Sequence, residues 1–154
     1  MIPVYIAVGV IAIDQLTKIL IRANFALGET LPVIGDFCRL TYVRNTGTAF
    51  SMFQNNHMVT IGLTTVLLVV CLLFMIIEWK RGSRAVSLSV TLVLAGGVSN
   101  LLDRLIMGYV TDMISIGRFA IFNFADMAVV TGCVFAAILI ILASREEEDD
   151  EYRQ

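Results

Sequence analysis

Asp112 and Asp126 lie beside long apolar stretches, in the segments VTDM and FNFAD, with Asn100, Asp103 and Arg104 shortly before them. A charged group in or near a bilayer costs ~2.5–3.5 kcal/mol on insertion scales, so an acid placed there usually has a task. Two carboxylates held close together cannot both ionise easily; they share a proton and titrate as a pair. One can then act as general base on a water while the other, protonated, polarises a carbonyl. That is hydrolysis of the aspartic-peptidase kind. Other chemistries lack their parts. No Ser or Cys sits beside a His, and no glycine-rich phosphate loop is present. The single histidine, His57, with Cys38, Cys71 and Cys133 and no CxxC, does not make a zinc set. Neither a metal nor a cofactor is expected.

The elements that must position these groups are membrane helices. The chain has 154 residues, is 58% hydrophobic and has a mean hydropathy of +0.85, above the ~45–50% apolar share of soluble domains. Residues 58–77 and 127–144 carry no charge, 85–102 are apolar apart from Ser, Thr and Asn, and 2–21 carry Asp14 and Lys18 as their only charges. Each run is near the ~20 residues that cross a hydrocarbon core. Four spanning helices follow, at about 2–21, 58–78, 85–105 and 124–144, in a single domain over 1–144. The first reads as a retained helix rather than a cleaved signal, for want of a basic start and a small-residue cleavage site. The outer loop at about 23–57 is too long for a bare connector, and its FCRLTYVR stretch is rich in strand formers, so a small β-sheet is expected there. The fold class is an all-α membrane protein with that small sheet on its outer surface. Residues 145–154 hold six of the thirteen acids and read as a disordered, solvated tail.

The link between helices two and three contains Lys80, Arg81 and Arg84, and the positive-inside rule places it in the cytoplasm. Both termini are then cytoplasmic, against the pull of Arg22, Arg39 and Arg44 in or beside the first outer loop. Basic residues are scattered rather than striped, so no nucleic-acid partner is expected.

On this topology the polar residues share one depth. Asn100, Asp103 and Arg104 lie on one helical face, Asn123 and Asp126 are three apart, and Asp14 and Lys18 are four apart in the outer half of helix one. Singly, each has a structural explanation. Asp103 and Arg104 could form an interfacial ion pair, Lys18 could snorkel to the surface, and Asn123 could be a helix cap. Asp112 and Asp126 are preferred as the reacting pair because Asp103 has a permanent cation next to it; Asp103 stays the alternative.

The stretches DQLTK (14–18), YVRNTGTAFSMF (42–53), GGVSNLLDR (96–104), VTDM (110–113) and FNFAD (122–126) resemble, in this order, the bacterial lipoprotein signal peptidases, or signal peptidase II. The resemblance spans about 4–144. It implies a membrane-embedded aspartic endopeptidase that removes the signal peptide from diacylglyceryl-modified prolipoproteins, cutting just before the lipidated cysteine. It places the dyad on Asp112 and Asp126 and substrate-binding or supporting roles on Asp14, Asn45, Asn100, Arg104 and Asn123. Lys18 and Asp103 are read as structural support. A monomer in the phospholipid of a bacterial cytoplasmic membrane suffices. VTDM replaces the more common VVDF, and Thr48 stands where Ala is common. A transporter with a polar path, or a non-enzymatic scaffold, are the other classes. The transporter would need polar groups spread through the depth of the membrane, which helices two and four lack.

Overall fold

The computed structural model describes residues 1–47, 57–117 and 121–152. Four long helices carry the fold: α1 (Ile2–Asn24), α2 (His57–Lys80), α3 (Arg84–Met107) and α4 (Phe124–Tyr152). All four contain a stretch long and apolar enough to cross a membrane. Between them lie β1 (Thr30–Ile34), β2 (Cys38–Asn45), β3 (Val110–Ile116) and β4 (Ile121–Phe122), forming one antiparallel sheet in the order β1-β2-β3-β4.

The bundle is built around α3, which packs against α1, α2 and α4. Half of its spanning stretch is buried, against 6% for α2, so α3 is the central helix and α2 faces lipid. Its buried side chains are mostly small or polar, including Ser87, Ser89, Thr91, Ala95, Gly96, Ser99 and Asn100. Between membrane helices, small residues allow close backbone approach where hydrophobic burial gives no drive. Gly96 requires that smallness: a Cβ there would meet the Ala125 carbonyl oxygen and come within 2.9 Å of Val129 Cγ2. Gly132 on α4 does the same against the Ser89 carbonyl. In α1 the usual amphipathic pattern is inverted. Its buried stripe is Asp14, Lys18 and Ile21, while Val4, Val8, Leu16 and Leu20 face outward.

α3 ends at Gly108, whose φ of 77° and N–H bond to the Arg104 carbonyl close the helix and turn the chain into β3. Here the structure differs from the sequence reading. The sheet was expected within the outer loop at about 23–57, yet the connection between α3 and α4 supplies β3 and β4, and β3 pairs with β2 in the register Val43↔Asp112 and Asn45↔Val110. Asp112 therefore sits on a strand. A cluster of Ile21, Tyr42 and Met113, with Phe25, Leu40 and Ile114 against it, seats the sheet on the end of α1. The acidic tail is also corrected: α4 continues as helix to Tyr152. Four of the eight residues at 145–152 are Glu, a good helix former, and no Gly or Pro stops the helix there. Thr48 and the rest of 48–53 fall outside the described residues.

Candidate active site

Strand β3 and the start of α4 bring Asp112 and Asp126 to the sheet end of the bundle. Asn123 immediately precedes α4 and caps it reciprocally with Asp126. The Asp126 N–H donates to Asn123 Oδ1 (2.9 Å), and the Asn123 N–H donates to Asp126 Oδ2 (3.3 Å). This is a capping box with Asp in place of the usual Glu, and it fixes the Asp126 carboxylate against the first turn.

Side-chain amides complete the pair. Asn123 Nδ2 donates to Asp112 Oδ1 at 2.7 Å and to Asn100 Oδ1 at 3.2 Å, which uses both of its hydrogens. Asn100 Nδ2 donates to Asp126 Oδ1 at 2.8 Å. Asn45 Nδ2 donates to Asp112 Oδ2 at 3.0 Å, and its own Oδ1 accepts the Gly47 N–H in a local turn. Each of the four carboxylate oxygens thus accepts a hydrogen bond from an amide. Amides serve this place well because they neither titrate nor carry net charge. Asp112 is 2% exposed. Burial, and then the charge of Asp126, push its carboxyl up to about 6, while the bonds from Asn45 and Asn123 pull the other way.

Behind the pair lies a buried ion cluster. Lys18 and Asp14 are wholly buried and Asp103 nearly so. Lys18 Nζ meets Asp14 Oδ2 at 2.7 Å, Asp103 Oδ2 at 3.2 Å and Asn100 Oδ1 at 2.8 Å, one acceptor for each of its three hydrogens. Removing a charge from water costs several kcal/mol, and only such complete pairing offsets it. The snorkelling expected of Lys18 does not occur: the side chain points into the protein, where two acids await it. Nor does Asp103 pair with Arg104. Arg104 instead donates to the carbonyls of Gly47 (3.1 Å) and Asn100 (3.4 Å), and its Nε is buried with no partner among the described residues.

Because Lys18 can only donate, the oxygen of Asn100 must face it and the nitrogen must face Asp126. The cluster therefore sets the direction of the amide that touches the pair. Asp14 reaches α4 directly, accepting the Ala125 N–H at 2.8 Å and so satisfying one of the open donors at that helix start. All nine residues singled out from the sequence (Asp14, Lys18, Asn45, Asn100, Asp103, Arg104, Asp112, Asn123 and Asp126) belong to this one network. Thr111 joins it as well, its N–H donating to Asp103 Oδ2 at 3.2 Å, and two further side chains were missed. Gln15 Nε2 donates to Ser99 Oγ (3.0 Å) and Asp103 Oδ1 (3.0 Å), and Ser99 Oγ donates to Asp14 Oδ2 (2.7 Å). The signal was at hand, since both lie within motif stretches, beside Asp14 and Asn100.

Comparison with known proteins identifies the family. The family model described as signal peptidase (SPase) II matches residues 6–142. The chain is 41% identical over 142 residues to a lipoprotein signal peptidase of Moorella thermoacetica, covering 92% of this chain and 94% of that one. It is 38% identical over 146 residues to one of Halothermothrix orenii, covering 94% and 97%. A bacterial membrane enzyme structure obtained by the in meso method at 2.3 Å superposes with a TM-score of 0.78 at 26% identity, covering 96% of this chain and 90% of that one. A four-helix membrane bundle with an antiparallel sheet over paired aspartates, matched along nearly its whole length, makes this chain a member of the signal peptidase II family of bacterial membrane peptidases.

Proposed function

We propose that the chain is an aspartic endopeptidase that removes the signal peptide from diacylglyceryl-modified prolipoproteins, cutting just before the lipidated cysteine, with Asp112 and Asp126 as its catalytic pair. The observation that carries this reading is the amide network that holds the two carboxylates on β3 and α4, joined through Asn123. The pair holds one proton. Its ionised member takes a proton from a water, whose oxygen bonds to the scissile carbonyl carbon, while the protonated member gives its proton to the carbonyl oxygen. Collapse of the tetrahedral species breaks the C–N bond: the leaving amine takes the proton first removed from water, and one hydroxyl returns its proton to the carboxylate that gave it, leaving the acid product and a pair that again holds one proton. Arg104, tied to the Gly47 carbonyl with its Nε unused among the described residues, is suited to hold a substrate carbonyl. Asn45 fixes Asp112 from the strand side, and Asn100 and Asn123 fix the pair from below. Asp14, Lys18 and Asp103 keep those amides aligned.

The Lys80, Arg81 and Arg84 link supports cytoplasmic termini and a catalytic pair at the outer surface of the cytoplasmic membrane, where a lipid anchor would hold the scissile bond at headgroup level. One copy supplies every group named, so a monomer in phospholipid suffices. The test is cleavage of a prolipoprotein with and without its diacylglyceryl group by the purified protein in detergent. Cleavage confined to the lipidated form is the expected result. Equal cleavage of both forms would refute the substrate assignment.

A further inference from the structure

Arg22, Arg39 and Arg44 stand at the sheet end of the molecule, and among the described residues none forms an ion pair with a carboxylate. Two of them converge. Arg22, in the last turn of α1, donates from Nη1 to Thr111 Oγ1 at 3.0 Å. Arg44 is the register partner of Thr111. Its guanidinium lies over the rings of Tyr109 (4.7 Å) and Tyr42 (5.8 Å), and its Nε donates to the Tyr42 hydroxyl at 3.1 Å. The stacking fixes one face of the Arg44 guanidinium, and the side chain is otherwise exposed.

Register partners share a face of a sheet, as do residues two apart on a strand. Thr111, Met113 and Arg44 are therefore on the face opposite Asp112. Met113 is also a wall of an apolar groove of about 470 Å³, with Leu20, Ile21, Phe25, Leu40 and Phe124 among the other walls. Ile21 directly precedes Arg22. Leu20 and Ile21 belong to the apolar candidate span Ile2–Asn24 of α1, and Arg22 lies in its last turn, so the groove borders the apolar part of the helix and the arginine pair stands at its polar end. An apolar slot leading to two cations without acids has the complement of an amphiphile with an anionic head.

We infer that this face, turned away from the catalytic pair, binds an anionic glycerophospholipid, with one acyl chain in the groove and its phosphate on Arg22 and Arg44. A zwitterionic headgroup would bring its own cation beside the two arginines, and so fits less well. The site goes beyond the peptidase reading and does not depend on it: neither arginine bonds to a carboxylate, although Arg22 reaches Thr111, whose N–H donates to Asp103 Oδ2 at 3.2 Å.

The test is native mass spectrometry of the full chain in detergent, titrated with phosphatidylglycerol or phosphatidylcholine of the same acyl chains. The first phosphatidylglycerol should bind about tenfold or more tightly than phosphatidylcholine, at the strength expected of two arginines facing an anionic lipid. Arg22→Gln with Arg44→Gln should abolish that preference, and Arg44→Gln alone, at an exposed position, should reduce it. Leu20→Trp, which fills the groove, should weaken both lipids. Equal binding of the two lipids by the unaltered protein, or a preference that survives the double substitution, would overturn the inference. Saturation by inorganic phosphate with no effect of Leu20→Trp would overturn it too, leaving only an anion site. Prolipoprotein cleavage by Arg44→Gln alone, at the exposed position, should be unchanged, which separates this site from the catalytic one.

Discussion

Asp112→Asn should abolish activity and yet make the folded protein more stable at neutral pH. The Asp112 carboxyl is raised from an ordinary 3.8 to about 6, by burial first and then by the charge of Asp126. A raised carboxyl pKa means that the folded protein disfavours the ionised form. Its contribution to stability is full below the unfolded pKa of 3.8 and is lost as pH rises through about 6. At about 1.4 kcal/mol per pH unit, that interval amounts to about 3 kcal/mol above pH 7. Asparagine keeps the shape and removes the charge, but it brings a donor toward Asn45 Nδ2. Asn45 cannot simply turn over, because its Oδ1 accepts the Gly47 N–H. Two facing donors cost about 1–2 kcal/mol, so the net gain at pH 8 is about 1–2 kcal/mol. At pH 4 the gain should vanish or reverse. Thermal unfolding in detergent, followed by the fluorescence of the single tryptophan, Trp79, at pH 4, 6 and 8 reads this directly. A Tm at pH 8 no higher than that of the unaltered protein, or a gap that fails to widen from pH 4 to pH 8, would refute the reasoning.

Further outcomes follow from the same contacts. Lys18→Met strands Asp14 and Asp103 without their cation and should cost about 3–5 kcal/mol, read as a lowered Tm. Adding Asp14→Asn should recover part of that loss, and strict additivity of the two changes would argue against the cluster. The rate profile against pH should be bell-shaped, falling above about 6 as Asp112 gives up its proton. Asn45→Ala removes a bond that favours ionised Asp112, so the alkaline limb of kcat/KM should move to higher pH; an unmoved limb would contradict that role. Gly96→Ala drives a Cβ against the Ala125 carbonyl and should force α3 and α4 apart, lowering both Tm and kcat.

Much of the site could be read from the chain because charge is so costly among lipids. Asp14, Asp103, Asp112 and Asp126 stand out in runs that otherwise exclude acids, and helical spacing groups Asn100 with Asp103 and Asn123 with Asp126. What could not be read is who pairs with whom across elements. Lys18 meets Asp103 across more than eighty residues of chain, and local spacing offered only Asp14 below it and the surface above it. Arg104, adjacent to Asp103 in sequence, looked like its partner. Successive helical residues point in different directions, and the cation that reaches Asp103 comes from another helix. The strand at 110–116 was hidden for a related reason. Its pairing with 38–45 depends on where α3 delivers the chain, which periodicity does not record. Gln15 and Ser99 went unassigned because an uncharged polar residue in a membrane helix is common enough to pass as filler.

Cleavage of a diacylglyceryl-prolipoprotein by Asp112→Asn and by Asp126→Asn, each checked for folding by its Tm, tests the catalytic pair most directly. Loss of cleavage in both variants, by three orders of magnitude or about 4 kcal/mol in the barrier, is the expected result. Cleavage that survives either substitution in folded protein would contradict the pair and direct attention to Asp103.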